Sequence, residues 1–385
     1  MTGFIDGNRV VLLENGADYF PALEQAIDGA AIEIHLETYI FENDATGRRI
    51  VDALCRAAGR GVAVRVLVDG IGARPFADRL MPRLEASGVA VQIYRRDHRL
   101  LRLRRYRLRR MHRKLAVIDG RVAFVGGINI IDDVGNGGSP HPRFDYAVRV
   151  EGPLLRAATE AAHHLWWLVS WANLRRRGRR PVLSHLRPEP VGKVRAAFVI
   201  RDNLRHRRDI EDAYLAAIRA ARSEVVIACA YFFPGRRFRH ALTVAAARGV
   251  NVVLVLQGVS DHPILAYATR ALYPYFLARR IRLFEYHRSQ LHAKVAVIDR
   301  KWATVGSSNI DPFSLLLARE ANVIVDDGDF AAQLRASLAR AIASGASELR
   351  AEDWRRQPAV RRLASWLAYQ CVRWIIGLAG YRGKH

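Results

Sequence analysis

Cysteine is scarce in this chain of 385 residues: Cys55, Cys229 and Cys371 lie far apart and form no C-x-x-C pair or other metal-ligand spacing. A cysteine framework is therefore excluded as an organising feature, and the three read as buried thiols of a reducing compartment. Acidic residues are also few, with 37 Asp and Glu against 61 Lys and Arg, for a formal charge of +24. That balance implies a polyanionic partner, nucleic acid or anionic lipid, without choosing between them. The opening residues, Met1 to Gly16, lack a basic stretch followed by an apolar core, so neither a secretory signal nor an amino-terminal membrane span is expected. The length suffices for two cores of ordinary domain size.

What the chain does have is one stretch written twice. Met111-His112-Arg113-Lys114-Leu115-Ala116-Val117-Ile118-Asp119 returns as Leu291-His292-Ala293-Lys294-Val295-Ala296-Val297-Ile298-Asp299. Both read H-x-K-x-x-x-x-D, and each is followed by an asparagine in a small-residue loop, Asn129 after Gly126-Gly127 and Asn309 after Gly306-Ser307-Ser308. The histidines and the asparagines keep one offset of 180 residues. A repeat that keeps its polar residues in register is a duplicated site.

The apolar run after each Lys is short and β-branched, which predicts a buried strand with side chains alternating at period two. His and Lys, two apart, then share a face. Asp119 and Asp299, at odd offset from their histidines, face away, so strand parity gives them support of the loop although they complete the signature. An imidazole beside an ammonium, with an amide brought in by a Gly/Ser loop, supplies a nucleophile or proton carrier and fixed donors for an anionic oxygen, with phosphate the favoured anion. Around these motifs, strands and helices alternate. Val10–Leu13, 31–41 and Val62–Val68 read as strands, and Ala17–Ala30 and Gly47–Ala58 as helices. The order returns in the second half, where Glu224–Phe233 and 248–258 match the 31–41 and 60–70 stretches, so an α/β fold is expected.

This pair of motifs resembles the signature of the phospholipase D superfamily. The second copy continues Ile310-Asp311-Pro312-Phe313-Ser314-Leu315 and then Arg319-Glu320-Ala321-Asn322-Val323, which is similar to the bacterial cardiolipin synthases of the short B type. The resemblance covers about Val10 to Leu338. It implies two tandem phospholipase D-like α/β/α sandwich domains, related by a pseudo-twofold axis and sharing a single active site. The implied division is residues 1–174 and 193–350 for the domains, 175–192 for a basic, proline-dotted linker, and 351–385 for an amphipathic tail. The implied catalytic set is His112, Lys114, Asp119, His292, Lys294 and Asp299, with Asn129 and Asn309 binding phosphate and Asp145 and Glu320 orienting the histidines. The implied reaction is a double displacement through a phosphohistidine. His112 attacks, His292 shuttles the proton, and the lysines and amides supply the field, so no metal and no cofactor is expected. Anionic phospholipid is the implied substrate, at the cytoplasmic side of the inner membrane.

Three stretches bear on partners. The basic run Arg96–Arg110 leads into His112 and points to an anionic substrate. Trp166, Trp167 and Trp171 fall on one expected helix, with core packing the plain reading and a membrane interface the alternative. Near the carboxyl end, Arg361 and Arg362 precede an apolar stretch holding Trp366, Trp374, Ile375 and Ile376 but broken by Arg373. That suits a helix lying in a headgroup layer better than one crossing a bilayer, and its removal is expected to leave a protein still active on dispersed lipid. A nuclease of the same superfamily is the second reading, and this tail argues against it.

Overall fold

A computed structural model of the protein describes residues 3–95, 109–133, 141–173, 188–202, 205–259, 262–311 and 318–378. Most of the basic run (96–108), most of the linker (174–187), Pro312 to Leu315 and the last residues of the chain lie outside the described residues.

The first half runs β1 (Ile5–Glu14), α1 (Asn15–Asp28), β2 (Glu33–Thr38), α2 (Ala45–Gly59), β3 (Ala63–Asp69), α3 (Arg74–Arg79), α4 (Met81–Ala86) and β4 (Ala90–Tyr94). It continues with β5 (Lys114–Ile118), β6 (Val122–Gly126), β7 (Tyr146–Glu151) and α5 (Leu155–Ala172). The second half opens with β8 (Val194–Arg201), α6 (Asp209–Ala220), β9 (Glu224–Cys229), α7 (Arg236–Ala247) and β10 (Asn251–Gln257). There follow α8 (Pro263–Arg270), α9 (Tyr273–Leu277), β11 (Arg282–Tyr286), β12 (Lys294–Ile298), β13 (Trp302–Gly306), β14 (Glu320–Asp326) and α10 (Gly328–Gly345). The chain closes with β15 (Ala346–Leu349), α11 (Ala351–Arg356) and α12 (Ala359–Leu378).

Strand order is β4-β3-β2-β5-β6-β7-β1 in the first half and β8-β14-β13-β12-β9-β10-β11-β15 in the second, the same order mirrored apart from the added β15. The β2-β3-β4 and β9-β10-β11 sets are parallel, which requires the crossovers through α2 and α7. The two sets of strands join where β1 runs antiparallel to β8, at Ile5 opposite Ala196 and Asn8 opposite Val194.

Period-two alternation sorts the side chains into layers. On β5, Ala116 and Ile118 face α1, α2 and α4 across a core holding Leu23, Ile50, Leu54 and Leu84. Leu115 and Val117 face the opposite way. They share a second core with Val148 of β7, Val295 and Val297 of β12, Val323 of β14, and Leu334 and Leu338 of α10. The two halves therefore bury one face of each sheet against the other half. The outer face of the second sheet is covered by α6, α7 and α9 through Ile218, Phe238, Leu242 and Phe276.

Two sequence expectations need correction. Only Cys229 is a buried thiol; Cys55 is half-buried, and Cys371 is exposed because it sits on the outward side of α12. Of the three tryptophans on α5, Trp166 packs against the small core of Leu67, Tyr94, Met111, Leu165 and Val169, whereas Trp171 is 63% exposed in the last turn, beyond the sheet.

Candidate active site

Each signature begins just before the central strand of its half, and the backbone of the other half holds it there. The His112 N–H donates to the Arg319 carbonyl at 3.0 Å, and the His292 N–H donates to the Phe144 carbonyl at 2.8 Å. Met111 bridges Arg319, and Leu291 bridges Phe144, as parallel β-bridges. Asp69 accepts from the Met111 N–H at 2.9 Å and binds the Arg110 guanidinium. Arg113 faces the other way and clasps Glu37 with two hydrogen bonds of 2.5 and 2.7 Å, tying β5 to β2.

The residues that follow those anchors on the chain are Glu320 and Asp145, so the orienting carboxylates are exchanged between halves. His112 Nδ1 stands 3.1 Å from Glu320 Oε1 and 3.2 Å from Oε2. His292 Nδ1 is 2.5 Å from Asp145 Oδ2. Each imidazole belongs to one half and its acceptor to the other. A carboxylate facing Nδ1 favours the tautomer protonated there, which leaves the Nε2 lone pair free, and Lys294 Nζ also stands 3.0 Å from His292 Nδ1. The two pairs differ in support. Ser307 donates its hydroxyl to Glu320, while at the matching position a Cβ on Gly127 would overlap the Asp145 carboxylate.

Both lysines are buried. Lys114 Nζ donates to the His112 carbonyl at 2.8 Å and lies 5.4 Å from the centre of the Tyr39 ring, which also packs on His112 with ring centres 5.0 Å apart. Lys294 Nζ donates to the His292 carbonyl and lies 3.8 Å from Asp145 Oδ2. Burial, with the charge of Lys294 added, brings the Lys114 ammonium down to about 7, against the opposing pull of Glu320. Burial also lowers both imidazoles, His292 well below its ordinary value with Lys294, Lys114 and His112 adding to the effect. Burial raises the Asp145 carboxyl to about 6. Both histidines and both lysines thus feel one another, and a phosphodiester anion placed among them would draw the lysines and the proton-donating His292 back toward their protonated forms.

Asp119 and Asp299 do not join this group. Each sits at the far end of its strand from the histidine, in the left-handed region at φ 53° and 52°. Asp119 accepts the backbone N–H groups of Ala31, Ile32 and Glu33, and Asp299 those of Arg222, Ser223 and Glu224. They fasten the neighbouring strands β2 and β9, so their place in the catalytic set is corrected to a structural one, as strand parity requires. Asn129 turns its Oδ1 to the Ile40 N–H at 3.1 Å, whereas the Oδ1 of buried Asn309 has no protein partner among the described residues.

A cavity of about 470 Å³ opens at His112 and Asn309. Arg110, His112, Asn309 and Asp311 stand in its wall beside Tyr39 and Tyr231, while Ile264, Leu265, Val372 and Ile375 also line it. Sequence reasoning missed Tyr39, Ser307, Tyr231 and the apolar wall. Ser307 lay within a quoted motif and Ile375 within the tail stretch, but neither carried a signal for this cavity. Elsewhere Glu33, His35 and His163 place ligand-type atoms close together, at the Asp119 end of β2, away from the histidine pair. Their atoms bond to one another, and Arg65 donates to both Glu33 and His35.

A family model described as cardiolipin synthase, PLD-like domain, matches residues 23–135 and again 214–342. The chain is 42% identical to cardiolipin synthase B of Escherichia coli (strain K12) over 380 residues, which is 99% of this chain and 91% of that one. It is 29% identical to cardiolipin synthase A of Proteus mirabilis over 385 residues, 95% of this chain and 75% of the other. Its fold is similar to that of phosphatidylserine synthase from Haemophilus influenzae, with a TM-score of 0.73 over 97% of this chain and 96% of that one at 13% identity. The doubled family match falls on the same two halves that exchange their carboxylates, and with 42% identity over nearly the whole length the chain belongs to the cardiolipin synthase family of phospholipase D-like phosphatidyl transferases.

Proposed function

We propose that this enzyme joins two molecules of phosphatidylglycerol into cardiolipin and glycerol at the composite site. His112 Nε2 attacks phosphorus, the bond to the headgroup glycerol breaks, and His292 gives that alkoxide its proton. His292 then takes the proton from the headgroup hydroxyl of a second phosphatidylglycerol, which attacks the phosphohistidine and frees His112. Lys114, Lys294 and the amides of Asn129 and Asn309 stabilise the charge that builds on the non-bridging oxygens. The observation that carries this reading is the exchange of carboxylates, His112 with Glu320 and His292 with Asp145, because it supports two histidines prepared for one reaction. That His112 lines the cavity supports its role as nucleophile.

The outward side of α12 supports attachment to an anionic bilayer on the cytoplasmic face of the inner membrane. Leu363, Trp366, Leu367 and Trp374 are exposed there beside Arg361, Arg362 and Arg373. Among the described residues no helix is long and apolar enough to cross a membrane. Basic residues near an anionic leaflet contribute about 1 kcal/mol each, an attraction that salt screens.

The test is pure protein in detergent micelles of phosphatidylglycerol, with lipid products and free glycerol followed together. One glycerol per cardiolipin is expected. Phosphatidic acid in place of cardiolipin would make water the acceptor, and cleavage of DNA without lipid turnover would favour a nuclease.

A further inference from the structure

The last helix does more than face outward. Its positions Ala368, Tyr369 and Val372 recur at helical spacing and pack on the core of the second half, with the Tyr369 ring 5.3 Å from that of Phe233. Val372 is 3% exposed, and both it and Ile375, 39% exposed, stand in the wall of the cavity that holds His112. Pro263, Ile264 and Leu265 of α8 stand in the same wall. The cavity is therefore lined both by polar groups, Arg110, His112, His262, Asn309 and Asp311, and by an apolar set that the tail completes.

We infer that α12 forms the wall on which the diacylglycerol part of the phosphatidyl donor lies, with Ile375, Ile264 and Leu265 against the first methylenes of its acyl chains. The inference rests on the phosphatidyl-transfer reading and gives the tail a part in selecting substrate. Three features carry it. The apolar side chains are in the same cavity as the nucleophilic imidazole, so a phosphodiester at His112 has its hydrophobic portion beside them. The volume of about 470 Å³ suits a headgroup and the beginnings of two chains, within the usual range for a site of this kind. The rest of each chain must then remain in the bilayer, and the partly exposed Ile375 stands next to the exposed Trp374 on the same helix. Membrane attachment and substrate entry are then served by one helix. The tail is not a separable docking peg, and removing the residues from Val360 onward takes away part of the site. Activity on dispersed lipid is lost with it, contrary to the expectation drawn from the sequence.

The test separates chain contact from surface attachment. Glycerol release is measured for full-length protein and for Ile375→Ala and Ile375→Asp variants on two soluble substrates. One is dihexanoyl phosphatidylglycerol kept monomeric, and the other is glycerophosphoglycerol, which has the same phosphodiester and no chains. Ile375 is partly exposed, so the variants should fold, and thermal denaturation verifies it. The preference for the dihexanoyl lipid, as a ratio of kcat/KM values, should fall about threefold for Ile375→Ala and about tenfold or more for Ile375→Asp, in keeping with lost apolar contact. Unchanged ratios, with a defect only on vesicles, would overturn the inference and leave the tail as an anchor alone. A wild-type protein inert toward all phosphatidylglycerol, micellar or monomeric, would remove the phosphatidyl-transfer reading itself.

Discussion

Replacing Glu320 by Gln alters one charge at a position with no solvent exposure. Its carboxylate is 3.1 Å from His112 Nδ1 and also accepts the Ser307 hydroxyl. A hydrogen bond to a charged acceptor contributes about 1.5–3 kcal/mol against about 1 kcal/mol for a neutral one, so the lost charge alone slows the reaction about tenfold. The tautomer adds more. A Gln amide that presents its NH₂ to Nδ1 moves the imidazole proton to Nε2, the nitrogen that must attack, and the analogous exchange in a Ser-His-Asp triad costs about 10⁴ in kcat. The rate of the Glu320→Gln enzyme should therefore fall between about 10²-fold and 10⁴-fold. The pH profile should move as well. Glu320 holds the Lys114 pKa up against burial, which has brought it to about 7. Without that carboxylate the ammonium loses its proton at still lower pH, so the alkaline limb of kcat/KM, which follows the charge on Lys114, shifts toward acid. Glycerol release from micellar phosphatidylglycerol, measured across pH with a thermal-denaturation check, reports both effects. A variant that keeps more than about a tenth of the wild-type rate, or an alkaline limb that stays in place, would refute the reasoning.

Three further outcomes are expected. The acid limb of the wild-type profile should fall near pH 6, because below the raised Asp145 pKa the carboxyl is protonated and no longer accepts from His292, and Asp145→Asn should remove that limb along with most of the rate. Asp119→Ala leaves three backbone N–H groups without their acceptor at a half-exposed site, so it should lower stability by about 1–3 kcal/mol in urea while the folded enzyme keeps its kcat within about threefold. Trp366→Ala with Trp374→Ala should reduce sedimentation with anionic vesicles, and the remaining binding should weaken further in high salt.

Much of this site was legible because the chemistry is written at fixed spacing. The repeat at 112 and 292 locates both histidines, and period-two parity separates the lysines from Asp119 and Asp299. The boundaries of β5 and β12 followed from their β-branched runs. What parity cannot carry is pairing across halves. Asp145 lies 147 residues from His292 and Glu320 lies 208 from His112, and nothing local says that each acceptor serves the other half's histidine. The packing of the tail was hidden for a related reason. Its exposed Trp366 and Trp374 show in the sequence as a membrane-like stripe, whereas the burial of Val372 depends on where α8 sits. Tyr39 likewise owes its role to His112 and Lys114, which lie far along the chain.

The central claim is that both halves build one site in which His112 alone is the nucleophile. Its most direct measurement is the stoichiometry and position of the covalent intermediate. A phosphodiester with a nitrophenol leaving group needs no proton from His292, so in a His292→Ala enzyme the label should accumulate and survive an alkaline quench for mass spectrometry. One phosphoryl group per chain, carried on His112, is the predicted result. Label on His292 in the wild-type enzyme, or two labels per chain, would show two separate sites and contradict the account.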